Sequence, residues 1–257
     1  MLFEPLNKVC LMIGPHRSGS SVIRGIIDAH PMTAMGHELG RHGIYQRLIN
    51  GIANRDELFR LIVQQQHQIG ARPSSEHLEK NGRTTYSHAM PGTWQGRFKQ
   101  LKVIGDKSGP WIGAIADDKG EFDKRLRSIF KVPVFYVHTV RNPWDNFATM
   151  KIAKQDISLF ERWCAGAQLV HDAAPERVHT VHMDDLSEDP AVEVEKIYRF
   201  LNLGVPKDIV DACAARVFAK PHRRALEMEW KEGEIEKMRR IIAKFPWLSR
   251  YPENPDG

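Results

Sequence analysis

A segment near the start of the chain gathers the residue types that bind anions. It runs from Ile13 to Ser21, reads Ile-Gly-Pro-His-Arg-Ser-Gly-Ser-Ser, and ends an apolar run that begins at Val9. The apolar run predicts a buried strand, and the residues from about Gly19 to Ala29 predict a helix. A loop that joins a strand to a helix N-terminus directs several backbone N–H groups towards one point, which suits phosphate or sulfate.

The same loop departs from the pattern of ATP- and GTP-binding proteins. In the pattern G-x-x-x-x-G-K-[ST], Gly14, Gly19 and Ser21 match, but Ser20 occupies the lysine position. That lysine neutralises the β- and γ-phosphates during phosphoryl transfer, and a hydroxyl cannot supply its charge. Arg17 is the only permanent cation in the loop. The loop therefore predicts an anion site of another kind, the alternative being a glycine-containing turn without a ligand.

A second candidate anion site follows another predicted strand, Val132 to Val140. Arg141 comes directly after this strand, and Pro143 suits the first turn of the next helix. Open α/β folds bind ligands at the carboxyl ends of their strands, which is where Arg141 is expected. Thr149 lies eight residues further on, about two helical turns, and could approach the same anion. The alternative is that Arg141 belongs to a helix cap and pairs with Asp145.

Two short segments supply candidates for acid–base chemistry. Glu38 comes after a predicted strand that follows the first helix, with His37 beside it, and Lys107 follows the short apolar strand at 102–105. Group transfer to a hydroxyl needs a base for the proton and cations for the developing charge. Glu38, His37 and Asp106 remain open as the base. The alternatives are a helix-capping or surface role for Glu38 and a solvated turn for Lys107.

The stretch from Pro15 to Pro31 contains Arg-Ser-Gly-Ser-Ser and ends one helix later in His-Pro. It resembles the 5′-phosphosulfate loop of sulfotransferases that use 3′-phosphoadenosine 5′-phosphosulfate (PAPS). The segment from Arg141 resembles the 3′-phosphate motif of that family, with Thr149 in place of a serine. The resemblance implies that these two residues hold the 3′-phosphate of PAPS. It also implies that the sulfonate and the 5′-phosphate are held by Arg17, Ser18, Gly19, Ser20 and Ser21.

The resemblance extends to catalytic roles and is nearest to the bacterial and protein-tyrosine sulfotransferases. It implies that Arg17, Glu38 and Lys107 carry the catalysis, with Glu38 as the base and Lys107 beside the sulfonate and the leaving oxygen. Two segments depart from the family pattern. Gly109 is inserted before the proline of the Asp-Lys-Ser/Thr-Pro turn, and the basic segment at 220–224, which resembles a loop that closes over the nucleotide, lacks the R-K-G-x-x-G form.

The elements that position these residues alternate along the chain. Apolar runs at 9–13, 132–140 and 178–183 each precede a helical pattern, which predicts a mainly parallel sheet with helices on both faces. The class is therefore α/β, and the family resemblance implies a P-loop-like, three-layer α/β/α fold. We expect one domain over residues 1–257, with a helical insertion or lid at about 40–100 that lies over the active-site edge.

Composition limits the class of protein. Hydrophobic residues make up 42% of the 257 residues and charged residues 27%, which is typical of a folded globular protein. Lys and Arg number 37 against 32 Asp and Glu, a net charge of +5 that favours anionic ligands. Three cysteines far apart in the chain, and apolar runs far shorter than a bilayer requires, favour a cytoplasmic protein without a membrane span. The spacing of the histidines does not favour a metal site.

These observations predict a PAPS-dependent sulfotransferase. It would transfer a sulfuryl group to a hydroxyl or amine of a small-molecule, glycan or peptide acceptor and release adenosine 3′,5′-bisphosphate (PAP), without a metal ion. One alternative is a small-molecule P-loop kinase, in which Asp184, after a predicted strand, would hold magnesium. The other is a non-enzymatic basic protein that binds nucleic acid, although the chain has no contiguous basic run.

Overall fold

A computed structural model describes residues 6–39, 43–70, 78–80, 83–85, 89–107, 111–217 and 223–256. Its seven strands are β1 Lys8–Ile13, β2 Thr33–His37, β3 Leu78–Lys80, β4 Arg83–Thr85, β5 Val103–Lys107, β6 Val134–Val140 and β7 Val178–His182. Five of them form one parallel sheet in the order β2-β5-β1-β6-β7. The predicted parallel sheet is therefore confirmed. The antiparallel pair β3-β4, which the sequence patterns did not predict, forms a separate two-stranded sheet.

Eleven α-helices accompany these strands in the described ranges. They are α1 Ser20–Asp28, α2 Ile44–Ile49, α3 Arg55–Gly70, α4 Trp111–Asp117, α5 Glu121–Phe130, α6 Pro143–Ile152, α7 Ile157–Ala173, α8 Met183–Glu188, α9 Pro190–Phe200, α10 Lys207–Ala214 and α11 Glu232–Lys244. Strand and helix follow one another along most of the chain, as the α/β class requires.

The sheet separates two hydrophobic cores because the side chains of a strand alternate between its faces. In β1, Val9, Leu11 and Ile13 join the core formed with α2 to α7 and α11, whereas Cys10 and Met12 join the core formed with α1, α9 and α10. Both faces of the sheet are thus covered by helices. The α/β/α layering expected from the sequence is confirmed.

Helix α3 covers the edge of the sheet at β2. Gln65 accepts a hydrogen bond from the backbone N–H of His37 at 2.5 Å and donates to the carbonyl of the same residue at 2.9 Å. Gln66 donates to the carbonyl of Thr33 at 3.1 Å. These two side chains use hydrogen-bonding groups that an edge strand would otherwise expose.

The helix boundaries near the site follow local capping chemistry. Helix α6 begins at Pro143, and the side chain of Asn142 accepts hydrogen bonds from the backbone N–H groups of Trp144 at 3.0 Å and Asp145 at 3.4 Å. The cap directs the chain abruptly from strand β6 into α6, so that residue 141 stays at the carboxyl edge of the sheet. No helix in the described ranges is both long and apolar enough to cross a membrane.

Candidate active site

The loop between β1 and α1 has an unusual backbone conformation. Gly14, Arg17 and Gly19 have φ angles of 126°, 67° and 95°. A Cβ atom on Gly14 would lie 2.5 Å from the carbonyl oxygen of Thr139, and one on Gly19 would lie 2.4 Å from Sδ of Met183. Both positions therefore need glycine for conformation and for space. The loop winds closely between the end of β6 and the start of α8.

Side-chain hydrogen bonds and a ring contact also connect this loop to the rest of the molecule. The hydroxyls of Ser18 and Thr139 are hydrogen-bonded at 2.6 Å, and Ser18 is fully buried. Asn146 donates to the carbonyl of His16 at 2.6 Å, and the His16 ring lies 4.0 Å from the ring of Trp163. The loop is thus held by β6, α6 and α7 before any ligand arrives, which lowers the entropy cost of binding.

The beginning of α1 is favourable for an anion. Gly19 is its N-cap, and within the described residues no side chain caps the helix and its first turn contains no acidic residue. The partial positive charge of the helix N-terminus is therefore not neutralised by the chain. Ser20 and Ser21 are partly exposed at the first two helical positions, and Arg17 is exposed in the loop before them. Hydroxyls, backbone N–H groups and a guanidinium thus belong to five consecutive residues, 17–21.

The structure brings Glu38 and Lys107 into direct contact. Lys107 Nζ donates to Glu38 Oε1 at 2.5 Å, and the two side chains are only 8% and 13% exposed for Lys107 and Glu38, respectively. Burial lowers the pKa of Lys107, while the neighbouring Glu38 carboxylate opposes that shift. The pair is separated by 69 residues in the chain, and it forms because β2 and β5 are parallel neighbours with His37 opposite Lys107.

Glu38 has a left-handed backbone with φ 58°, and its N–H donates to the carbonyl of Lys107 at 3.1 Å. For a residue other than glycine this conformation costs about 1–3 kcal/mol, and such residues concentrate at functional sites. Arg17 is a second case at the same edge of the sheet. The strain places both side chains where a regular strand or helix would not.

Asp106, the neighbour of Lys107, is completely buried. Its Oδ2 accepts hydrogen bonds from the Tyr45 hydroxyl at 3.0 Å and from the backbone N–H of Leu39 at 3.1 Å. Burial raises the pKa of Asp106 to about 7, against the opposing effects of these hydrogen bonds and of Lys107. A carboxyl in this position has no access to a substrate, so the geometry favours Glu38 over Asp106 as the base.

On the other side of the loop, Arg141 follows the last residue of β6 and is partly buried. Thr149 lies two turns into α6, and its hydroxyl donates to the backbone carbonyl of Asp145 at 2.9 Å. The Asp145 carboxylate accepts a hydrogen bond from the backbone N–H of Ala225 at 2.8 Å and lies 3.5 Å from Nε of Arg223. Asp145 thus attaches the C-terminal segment to α6.

Parts of two predicted site segments lie outside the described residues. They are Ser108, Gly109 and Pro110 after Lys107, and Lys220, Pro221 and His222 of the basic segment at 220–224. In the part of the chain that the structure does describe, no group of three or more His, Cys, Asp or Glu side chains could hold a metal ion.

The candidate residues meet at one edge because all five strands of the main sheet are parallel. The loop predicted to bind an anion leaves β1, which lies between β5, with Lys107, and β6, which leads to Arg141. Neighbouring strands are about 4.8 Å apart, so β2, which leads to Glu38, and β6, which leads to Arg141, lie roughly 14 Å apart with the loop between them. The chain crosses from β1 to β2 on one side and from β6 to β7 on the other, which makes β1/β6 a topological switch point.

Comparison with solved structures identifies similar folds. The sulfotransferase domain from the curacin biosynthetic pathway is similar over 96% of this chain and 99% of its own, with a TM-score of 0.55 and 15% identity. The chain has the fold of the sulfotransferases. The sulfotransferase STF9 from Mycobacterium avium has a TM-score of 0.52 and 12% identity over 97% of this chain and 78% of its own. Mouse SULT7A1 complexed with PAP has a TM-score of 0.49 and 9% identity over 96% of this chain and 89% of its own.

The sulfotransferase fold expected from the Pro15 to Pro31 resemblance is thereby confirmed. No protein-family model matches the chain, and no curated protein matches it significantly. At identities of 15% and 12% the likeness concerns the fold and assigns no role to an individual residue.

Sequence reasoning missed four residues that shape this site. Thr139 and Met183 enclose the loop, and Tyr45 and Leu39 hold the buried Asp106. None of them belongs to a motif with a chemical signature. The glycines of the loop were the one signal that something packs against it, because a tight approach requires their missing side chains.

Proposed function

We propose that this protein transfers a sulfuryl group from PAPS to a hydroxyl or amine acceptor and releases PAP. The observation that carries the proposal is the meeting, at one sheet edge, of an anion-binding loop without the nucleotide-binding lysine and a buried Lys107–Glu38 pair. A kinase loop would need the lysine where this chain has Ser20. The sulfotransferase fold supports the same conclusion.

Three groups of residues bind different parts of PAPS. The N–H groups and hydroxyls at the start of α1, with Arg17, hold the sulfonate and the 5′-phosphate. Arg141 and Thr149, one strand away, hold the 3′-phosphate. These hydrogen-bond donors suit an anion because the first turn of α1 has no acidic residue. Lys107 lies one strand away on the opposite side, so it reaches the sulfonate end of the donor.

Glu38 and Lys107 act together in the transfer. The anionic donor draws the Lys107 ammonium towards the sulfonate and frees the Glu38 carboxylate. Glu38 then accepts the proton of the acceptor hydroxyl or amine, and the acceptor atom attacks sulfur as the bond from sulfur to the 5′-phosphate oxygen breaks. The electron pair of that bond stays on the phosphate oxygen of PAP. Lys107 donates a hydrogen bond to this oxygen and stabilises its charge.

The acceptor is a small molecule, glycan or peptide with a free hydroxyl or amine. It must approach from the β2 side, because Glu38 is at the end of β2 and the nucleotide lies towards β6. The described helices nearest that side are α2 and α3, and α3 packs directly on β2. We infer that the segment from 40 to 100 contributes the acceptor-binding surface.

Thermal unfolding with PAP, compared with magnesium and ATP, tests the proposal. A ligand at a hundredfold excess over its Kd stabilises a protein by about 2.7 kcal/mol, which raises Tm by roughly 5–11 °C for a chain of this size. We expect this rise with PAP and a smaller one with magnesium and ATP. An equal or larger rise with magnesium and ATP would favour a kinase and contradict the proposal.

Two exposed arginines provide a matched control. Arg17→Gln should abolish most of the PAP-induced rise in Tm, whereas Arg199→Gln, in an exposed ion pair on α9, should retain it. Transfer of ³⁵S-sulfuryl from labelled PAPS to a panel of phenols, sugars, amines and peptides then identifies the acceptor class. Association with nucleic acid that weakens steeply with salt, together with no response to PAP, would support the non-enzymatic alternative.

A further inference from the structure

Asp106 occupies a position that stability alone does not explain. Its carboxyl is fully buried, and Oδ1 has no hydrogen-bond partner among the described residues. A buried polar atom without a partner destabilises a fold, and such atoms in native structures call for a specific explanation. Gly36, beside it on β2, makes room for this carboxyl, since a Cβ atom there would lie 2.8 Å from Oδ1.

The other carboxyl oxygen connects three parts of the site. Asp106 Oδ2 accepts from the N–H of Leu39, the residue directly after Glu38, and from the hydroxyl of Tyr45 on α2. Asp106 itself is joined by a peptide bond to Lys107. One oxygen atom therefore links the backbone at Glu38, the backbone at Lys107 and a helix of the 40–100 segment.

Successive side chains of a strand point to opposite faces, so Asp106 and Lys107 do not compete for the same space. Lys107 meets the Glu38 carboxylate, while Asp106 holds the backbone that follows Glu38. Glu38 has a left-handed φ of 58°, a conformation that persists only where the surroundings impose it. The hydrogen bond to the Leu39 N–H is a contact that imposes it.

We propose that Asp106 and Tyr45 form a positioning pair that holds Glu38 in its left-handed conformation against Lys107. The proposal rests on the sulfuryl-transfer function, in which Glu38 and Lys107 are the catalytic residues. Asp106 is buried and does not touch substrate, so it acts through Glu38. Because Tyr45 is part of α2, the position of Glu38 depends on how α2 packs. Tyr45 thereby couples the base to the 40–100 segment, which we infer binds the acceptor.

The chain contains a matched control for this pair. Tyr136 on β6 donates a hydrogen bond to Asp123 on α5, and all four residues of the two pairs are buried. Tyr45→Phe and Tyr136→Phe each remove one buried tyrosine–aspartate hydrogen bond. Tyr136 and Asp123 lie away from the carboxyl edge of the sheet, with Tyr136 opposite Val178 at the start of β7. Losses of stability should therefore be similar, and only Tyr45→Phe should disturb the base.

The first readout is steady-state sulfuryl transfer by the full chain. A displacement of about 1 Å at a reacting group costs up to about 100-fold in rate, so Tyr45→Phe should lower kcat by about 10- to 100-fold. The KM for PAPS and the Kd for PAP should stay within about twofold of wild type, since both phosphates of the nucleotide are held by residues that follow β1 and β6. Tyr136→Phe should keep kcat within about twofold. Equal kcat values in the two variants would overturn the proposal.

The second readout does not need activity. Amide hydrogen–deuterium exchange should become faster at Leu39 in Tyr45→Phe and in Asp106→Asn, and should not change there in Tyr136→Phe. Unchanged exchange at Leu39 in both site variants would refute the positioning role. If the wild type neither binds PAP nor transfers sulfuryl groups, the proposed function fails, and hydrogen exchange still decides whether this pair holds the backbone at Glu38.

Discussion

Substitution Glu38→Gln removes the carboxylate that pairs with Lys107 and preserves the size of the side chain. In the structure the two groups are 2.5 Å apart and largely buried. A hydrogen bond to a charged group contributes about 1.5–3 kcal/mol. Glutamine keeps an oxygen that can accept from the ammonium, so we expect the lower part of that range, about 2 kcal/mol. For a chain of this size the corresponding fall in Tm is about 4–8 °C.

The same substitution should have a much larger effect on catalysis. A positioned general base contributes about 100- to 10,000-fold to the rate, and kcat should fall by that factor while the Kd for PAP changes little. The pH profile should change as well. Burial already lowers the pKa of Lys107 and Glu38 opposes the shift, so without Glu38 the pKa of Lys107 falls further. The decline of kcat at high pH, where Lys107 loses its proton, should therefore begin at a lower pH.

The assay is the pH dependence of kcat with PAPS, measured beside Tm and PAP affinity. Glu121→Gln is the control, because Glu121 pairs with Lys124 at 2.6 Å on the exposed surface of α5 and has no access to the site. It should change neither kcat nor its pH dependence. A Glu38→Gln variant that keeps more than about a tenth of the wild-type kcat would refute the assignment, because the loss would be smaller than a positioned base supplies. His37 would then be the candidate to test.

Two further predictions concern donor binding and stability. Arg141→Ala should raise the KM for PAPS by about 10- to 150-fold, because one charge-assisted contact of about 1.5–3 kcal/mol is lost. The substitution should have little effect on the KM for adenosine 5′-phosphosulfate, which has no 3′-phosphate. An equal defect with both sulfuryl donors would refute the contact with the 3′-phosphate. Burial, with neighbouring histidines, holds the pKa of His138 well below 6.5. The unfolded chain therefore takes up a proton at this residue that the folded chain does not, and the contribution of His138 to stability should decrease as pH falls below about 6.5. Buried Asp28 and Asp106, with pKa values raised to about 6 and about 7, act in the opposite sense, because their contribution is present at low pH and lost as pH rises. The free energy of unfolding in urea should therefore change in a more favourable direction from pH 7.5 to pH 5.5 in His138→Phe than in wild type, and an equal change in the two proteins would contradict the prediction.

Local sequence signals were sufficient for much of the fold. The apolar run before Gly14 predicts β1, the Val-rich run before Arg141 predicts β6, and the run from Val178 predicts β7. Each of these signals depends on neighbouring residues only. The alternation of such segments was enough to predict a parallel sheet covered on both faces.

Local sequence patterns did not predict how the edge strand β2 is covered. Gln65 lies in the segment at about 40–100, for which the sequence predicts a helical insertion. In the structure its side chain makes the hydrogen bonds with the backbone of His37 that a neighbouring strand would otherwise make. The antiparallel pair β3-β4 also has no pattern that distinguishes it from a loop. Strands of three residues are too short for alternation to be visible.

The sequence by itself determined the candidate anion-binding loop, because glycine conformation, helix N-terminal charge and the absence of the nucleotide-binding lysine are properties of consecutive residues. It also placed Arg141 and Glu38 directly after strands, whereas Lys107, expected just after a strand, is the last residue of β5. Only the tertiary structure decided that Glu38 pairs with Lys107 and that the buried carboxyl of Asp106 accepts a hydrogen bond from the backbone of Leu39. These contacts span 69 and 67 residues and arise from the parallel register of β2 with β5. The register depends on the packing of both cores against the whole sheet, a long-range property that no short segment encodes.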